Sequence, residues 1–238
     1  MKVLKKIIRL TLFVIFLYSG YLFGQAQANI NLPKYDRHKI HFGFLLGFNT
    51  MNFVTKPIQI NYRPDSVLVV QSLAQSGFNI GIISSLRLGE YWDLRFVPDL
   101  AFGQRNIEYT INVGDTLPTK AVKKIESTYI NFPFTFKYKS SRYNNFRAYV
   151  LGGGRISLDL ASMIGKKNTD EEYIKLSKIN YALDVGTGVD FYLEYFKFSI
   201  EIKMSYGLND LLKKDETIYT QTIDKLCSKI FLLSFNFE

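Results

Sequence analysis

The chain has 238 residues, and its 20 Phe, 16 Tyr and single Trp are spread along the whole length, a distribution that suits many short strands better than a few buried helices. One cysteine, Cys227, rules out an intramolecular disulfide. The formal charge of +9 falls to +5 once Lys2, Lys5, Lys6 and Arg9 are set aside, and the remaining cations are interspersed with acids rather than gathered on one face, so no nucleic-acid partner is expected.

Residues 1–28 differ in kind from the rest. Four basic residues precede an apolar run over residues 10–23, broken only by Thr11, Ser19 and Gly20, and the small triplet Ala26-Gln27-Ala28 closes it. This is the layout of a secretory signal peptide cut between Ala28 and Asn29, with a cut after Gln25 as second choice. A retained membrane anchor is the alternative, but it needs an apolar run of ~20 residues. No cysteine lies near the cleavage point to make the chain a lipoprotein.

After residue 28 the hydrophobic period is two, the mark of half-buried strands. The first strand sets Ile40, Phe42, Phe44, Leu46 and Phe48 against His41, Gly43, Leu45, Gly47 and Asn49. The second opposes Phe78, Ile80, Ile82, Leu86 and Leu88 to Gly77, Asn79, Gly81, Ser85 and Arg87, and the third opposes Trp92, Leu94, Phe96, Pro98, Leu100 and Phe102 to Asp93, Arg95, Asp99 and Arg105. Ile130 to Tyr138 makes a fourth. In the fifth, over residues 147–160, Gly152-Gly153-Gly154 blurs the faces and points to a bulge or bend. The sixth covers 179–191. The seventh is the most regular, with Phe196, Phe198, Ile200, Ile202, Met204, Tyr206 and Leu208 facing away from Lys197, Ser199, Glu201, Lys203 and Ser205. The eighth, residues 229–238, carries Phe231, Leu233, Phe235 and Phe237.

The links between these strands alternate. Long polar stretches follow strands one, three, five and seven, while strands two, four and six end in short turns at Gly89-Glu90, at 140–145 and near Glu194-Tyr195. Alternation of long loops with short turns belongs to transmembrane barrels. The expected fold is therefore an all-β, eight-stranded antiparallel outer-membrane barrel over residues 39–238, preceded by a strap at 29–38, with both termini periplasmic. Outer-membrane lipid and lipopolysaccharide are its expected surroundings. Periodicity does not say which face is outside, so a soluble lipocalin-like barrel is the alternative.

Residues with chemical potential are few. His38 and His41 have no metal-ligand partner at regular spacing, and Gly152-Gly153-Gly154-Arg155 lacks the Lys-Ser/Thr and the strand-to-helix setting of a phosphate loop. Cys227 reads as an unreactive free thiol. Ser157, Ser162 and Ser205 lie far from the histidines in sequence, whereas closure of a barrel sets strand one beside strand eight and so brings His41 and Ser234 to a common wall. No metal, cofactor or catalytic activity is expected. The inward charges Asp93, Arg95, Asp99, Arg105, Lys137, Arg155, Asp184, Asp190, Lys197, Glu201 and Lys203 are expected to pair and fill the interior, because buried charges are tolerated only when paired.

The segment Asn31-Leu32-Pro33-Lys34-Tyr35-Asp36-Arg37, with His41-Phe42-Gly43-Phe44 and Gly47-Phe48-Asn49 after it, resembles the start of the PorT family, outer-membrane β-barrels of Bacteroidetes associated with type IX secretion and gliding motility. Tyr129-Ile130-Asn131-Phe132-Pro133-Phe134 and Gly186-Thr187-Gly188-Val189-Asp190-Phe191 are similar to segments found widely among such barrels. The resemblance implies a non-enzymatic accessory needed for export of cargo proteins, with outer-membrane and periplasmic secretion-system proteins as partners. The strap residues Pro33, Lys34, Tyr35, Asp36 and Arg37 are the candidate contact, in a segment that Pro33 is expected to keep extended. A surface adhesin or receptor barrel and a lipid A-modifying enzyme are the alternatives. Loop deletions would expose the first, and altered lipopolysaccharide the second.

Overall fold

The computed structural model describes residues 30–57, 67–111, 119–160, 176–213 and 223–238. The expected signal segment and its expected cleavage point at Ala28 and Asn29 lie outside the described residues. Ten antiparallel strands form one sheet: β1 (Ile40–Pro57), β2 (Val67–Leu73), β3 (Gln75–Arg87), β4 (Trp92–Phe96), β5 (Asp99–Ile111), β6 (Thr119–Lys139), β7 (Phe146–Asp159), β8 (Ile179–Tyr192), β9 (Lys197–Gly207) and β10 (Ile223–Phe237). Because β1 pairs with β10 on one side and with β3 on the other, the ladder closes into a ring and leaves no edge along that seam.

Ten strands stand where eight were expected because two are interrupted. Both β2 and β3 pair with β5, and both β4 and β5 pair with β6, so each couple runs along one path round the ring. The break at Val97-Pro98 falls across from Pro133 of β6. Neither proline has an N–H to donate, so the ladder is weakened from both sides at one level. At the β2/β3 break a side chain replaces the ladder, with the Phe53 amide donating to Ser72 Oγ at 3.1 Å.

Faces settle the choice left open by periodicity. Phe42, Phe48, Ile82, Phe134 and Val185 are all more than half exposed on the outside, whereas the alternate positions Asn79, Arg95, Asn131, Lys137, Asp184, Asp190 and Glu201 are buried within. An apolar exterior around a charged interior is the polarity of a wall made for lipid. A soluble barrel has the opposite polarity.

Strands are longer than expected. β1 runs to Pro57, β6 starts at Thr119 and β10 at Ile223, so the ladder enters what read as loops. In these extensions the polarity reverses. Beyond Phe48 the apolar residues of β1 shift to the inward positions Met51 and Phe53, and beyond Phe102 those of β5 shift to Ile107 and Tyr109. Phe53, Ile107, Tyr109, Leu176, Leu211, Leu212, Ile223 and Leu226 close the interior at the long-loop end as one apolar cluster, while Asn106, Lys120, Lys124, Lys225 and Lys229 face out. That part of the wall is built for polar surroundings outside.

No bulge exists at Gly152-Gly153-Gly154, which corrects the expectation. The pairings of β7 with β6 and β8 run through these residues without a register shift. What the sequence records instead is close approach: a Cβ on Gly153 would sit 2.0 Å from the Phe134 carbonyl oxygen, and one on Gly188 would sit 2.5 Å from the Tyr149 ring that lies across it.

Candidate functional site

At the short-turn end the interior is a network of opposite charges. Arg95 reaches Glu201 at 2.8 Å and Glu238 at 3.3 Å, Lys197 reaches Glu238 at 2.8 Å, Lys137 reaches Asp190 at 2.8 Å, and Lys139 reaches Asp93 at 2.7 Å. Tyr149 donates its hydroxyl to Glu201 at 2.8 Å and lies under Lys137 Nζ, 3.6 Å from the ring centroid. Arg155 and Lys203 share Asp184 more loosely, at 3.6 and 4.0 Å. Toward the long-loop end Arg105 stands over the Phe53 and Tyr129 rings at 4.4 and 4.9 Å and bonds to the Tyr129 hydroxyl, Ser127 and Ser228. The expected inward charges are therefore inward, and most are paired across strands.

Over this network lies the strap. Residues following Pro33 do not stay extended, which is the second correction: Tyr35–Arg37 form a 3-10 turn in which the amides of Tyr35, Arg37 and His38 donate to the carbonyls of Leu32, Lys34 and Tyr35 at 3.1, 3.0 and 3.2 Å. Leu32 takes φ 47°, the left-handed region that a leucine enters only when its surroundings hold it there. The reason is geometric. Neighbouring side chains point opposite ways in an extended chain, whereas a turn of three residues lets Tyr35 and Asp36 both reach the barrel mouth.

Tyr35 stacks on His41 with ring centroids 4.0 Å apart, meets the edge of Tyr192 at 5.7 Å, lies 4.8 Å from Lys197 Nζ and donates its hydroxyl to Glu238 at 3.2 Å. Asp36 accepts from both terminal nitrogens of Arg147 at 3.3 and 3.1 Å and lies 3.6 Å from Arg87. Asn31 donates to Asn145 Oδ1 at 2.9 Å and to the Tyr192 carbonyl at 3.0 Å, and Arg142 donates to the Asn31 carbonyl. Of the five strap candidates, Tyr35 and Asp36 are anchors turned into the mouth. Pro33, Lys34 and Arg37 are exposed.

Burial raises the Tyr35 phenol well above its ordinary value, so the hydroxyl stays protonated and keeps donating. Burial also opposes ionisation of Asp36, but the guanidinium groups of Arg147 and Arg87 outweigh it and hold the carboxyl below its usual range. A depressed folded-state value means that strap docking gains its full electrostatic contribution above the ordinary carboxylate pKa of ~4 and loses it as pH falls through the lowered one. Limited proteolysis after Lys34 and Arg37 should therefore stay slow from neutral pH down to ~5 and quicken below ~4. In an Asp36→Asn variant it should be fast throughout.

His41 is inward, where it stacks on Tyr35 and meets the His38 ring edge-on. Ser234 pairs in register with Gly47, six positions along β1 from His41, or roughly 20 Å at the strand rise, so His41 and Ser234 do not meet. Cys227 is a buried free thiol in β10. Nothing in the sequence marks Arg87, Arg142, Asn145, Arg147, Tyr192 and Glu238 as the strap's receptors, and of these only Arg87 stands on the polar face of a clear alternation.

The sequence matches the family described as "Outer membrane protein beta-barrel domain" over residues 17–213. No curated protein matches the chain. Among solved structures, the outer membrane protein OprG from Pseudomonas aeruginosa is similar at 10% identity and a TM-score of 0.46, covering 84% of this chain and 95% of that one. Neisserial surface protein A is similar at 10% identity and 0.41, covering 84% and 98%. Ail, the attachment invasion locus protein of Yersinia pestis, crystallised with the heparin analogue sucrose octasulfate, is similar at 14% identity and 0.36, covering 84% and 99%.

Proposed function

The chain belongs to the outer membrane protein β-barrel domain family, and from that premise we propose that it is a non-enzymatic accessory of type IX protein secretion, required for export of cargo proteins, acting by docking envelope partners and not by conducting them. The observation that carries this reading is the mouth: a strap fastened by Tyr35 and Asp36 closes it and presents Pro33, Lys34 and Arg37 outward on a fixed turn. A rigid epitope spares a partner the ordering cost that a floppy arm would impose. The likeness of residues 31–49 to the PorT family supplies the secretion system. On this reading residues 1–28 are a signal peptide removed before Asn29, both termini of the mature chain lie on the periplasmic side, and the partners are outer-membrane and periplasmic secretion proteins.

The test separates docking from stability. Replacing Pro33, Lys34 and Arg37 with serine leaves both anchors in place, so the barrel should assemble and shift on a gel upon boiling as wild type does. Export of cargo to the medium should fall at least tenfold, the loss of about 1.4 kcal/mol of contact. Normal export from the assembled variant would overturn the docking reading.

A further inference from the structure

The seam between β1 and β10 changes character over a few residues toward the long-loop end. Phe48 and Phe231 are outward and apolar, 66% and 47% exposed. Next along β10 comes Lys229, exposed, with Tyr206 of β9 and Asn52 of β1 as its register partners. A tyrosine beside a lysine at the end of an apolar belt marks the level where hydrocarbon gives way to headgroups. Beyond it, Lys56 and Lys225 stand directly opposite each other, both exposed.

Like charges directly opposed across two strands are destabilising unless something anionic lies over them. The protein offers little. Asp224 approaches Lys56 at 3.7 Å with both side chains largely in solvent, a pair of small worth. Among the described residues, Lys225 and Lys229 form no ion pair. They stand four positions apart, roughly 13 Å along the strand, and the wall's tilt of ~40° reduces this to about 10 Å of depth. The three cations thus cover the depth of a headgroup layer just above the apolar belt, on the face turned to lipid.

We propose that this seam binds the phosphate groups of a multiply phosphorylated lipid headgroup in the leaflet on the long-loop side, with Lys229 at the hydrocarbon boundary and the opposed Lys56 and Lys225 above it. The site is independent of the strap and of any role in secretion. It also explains why the exterior of the extension keeps cations where the interior has turned apolar: the lysines hold the leaflet's charge while the Phe53 and Leu226 cluster closes the lumen behind them.

The test uses the full-length barrel purified into phosphatidylcholine nanodiscs, alone or doped with lipid A or with phosphatidylglycerol, and reads lipid retained after washing. Wild type should retain lipid A over phosphatidylglycerol. Changing Lys56, Lys225 and Lys229 to glutamine should weaken retention by about fivefold per lysine, and changing them to arginine should restore it. Glutamine at Lys120 and Lys124, on the opposite wall, should leave retention unchanged. Equal retention by wild type and the triple glutamine variant, equal preference for phosphatidylglycerol, or displacement of lipid A by millimolar inorganic phosphate would each overturn the proposal. Should the triple variant fail to shift on boiling, Lys229→Gln alone carries the comparison.

Discussion

Replacing Arg95 with methionine is expected to cost the barrel about 3–5 kcal/mol of stability, read as the midpoint of urea unfolding in detergent. The guanidinium is 2% exposed and stands between two carboxylates, Glu201 at 2.8 Å and Glu238 at 3.3 Å, themselves nearly inaccessible. Methionine fills most of the volume but removes the charge. Glu238 keeps Lys197, whereas Glu201 is left with the Tyr149 hydroxyl at 2.8 Å and a long contact from Asn236 at 3.4 Å. A buried carboxylate held only by neutral donors is the costly outcome. The double variant Arg95→Met with Glu201→Gln removes the stranded charge and should recover a large part of the loss. A cost below ~1 kcal/mol for the single change would mean that water reaches this layer freely.

Ile202→Arg is expected to cost about 2–4 kcal/mol in the same measurement, because an arginine near the bilayer midplane of a barrel wall must desolvate or distort the lipid. Ile202 is the central residue of β9, pairs with Leu233 and Thr187, and is 45% exposed on the apolar side. The same substitution at Leu208, past the end of the strand and 50% exposed, should cost under ~1 kcal/mol, since depth and not exposure sets the penalty. Equal costs at the two positions would remove Ile202 from the membrane.

Where lipid lies outside and charge inside, the wall was legible from sequence. The parity of β9 is correct at every residue because Ile200, Ile202 and Met204 alternate with Ser199, Glu201 and Lys203. The extensions were illegible for the converse reason. Once β1 passes Thr50 its apolar residues move from even to odd positions, and the phase reversal between Phe48 and Met51 cancels the period-two signal across the very residues that continue the strand. The same happens in β5 between Phe102 and Ile107. Pro98 and Pro133 both fall inside runs that read as continuous strands, and that they face one another depends on register.

The mouth was only half legible. Inward parity located Arg95, Lys137, Asp190, Lys197 and Glu201, yet which of them would pair depends on neighbours up to 106 residues apart. The strap was singled out by its likeness to a family and by its lack of alternation. Its conformation was misjudged, because Pro33 restricts the backbone locally while Arg147, 111 residues away, and Glu238, 203 residues away, decide where Asp36 and Tyr35 go. Long-range contacts outweighed the local preference of the residue before a proline.

Docking without conduction is the claim on which the functional reading stands, and planar-bilayer recording of the purified barrel tests it most directly. With an apolar cluster closing one end of the lumen and paired charges under a fastened strap closing the other, the protein should insert, as judged by its shift on boiling, and show no steady conductance steps above those of the bilayer itself. Stable, voltage-independent steps from the wild-type barrel, unchanged when Tyr35 and Asp36 are replaced with serine, would contradict it.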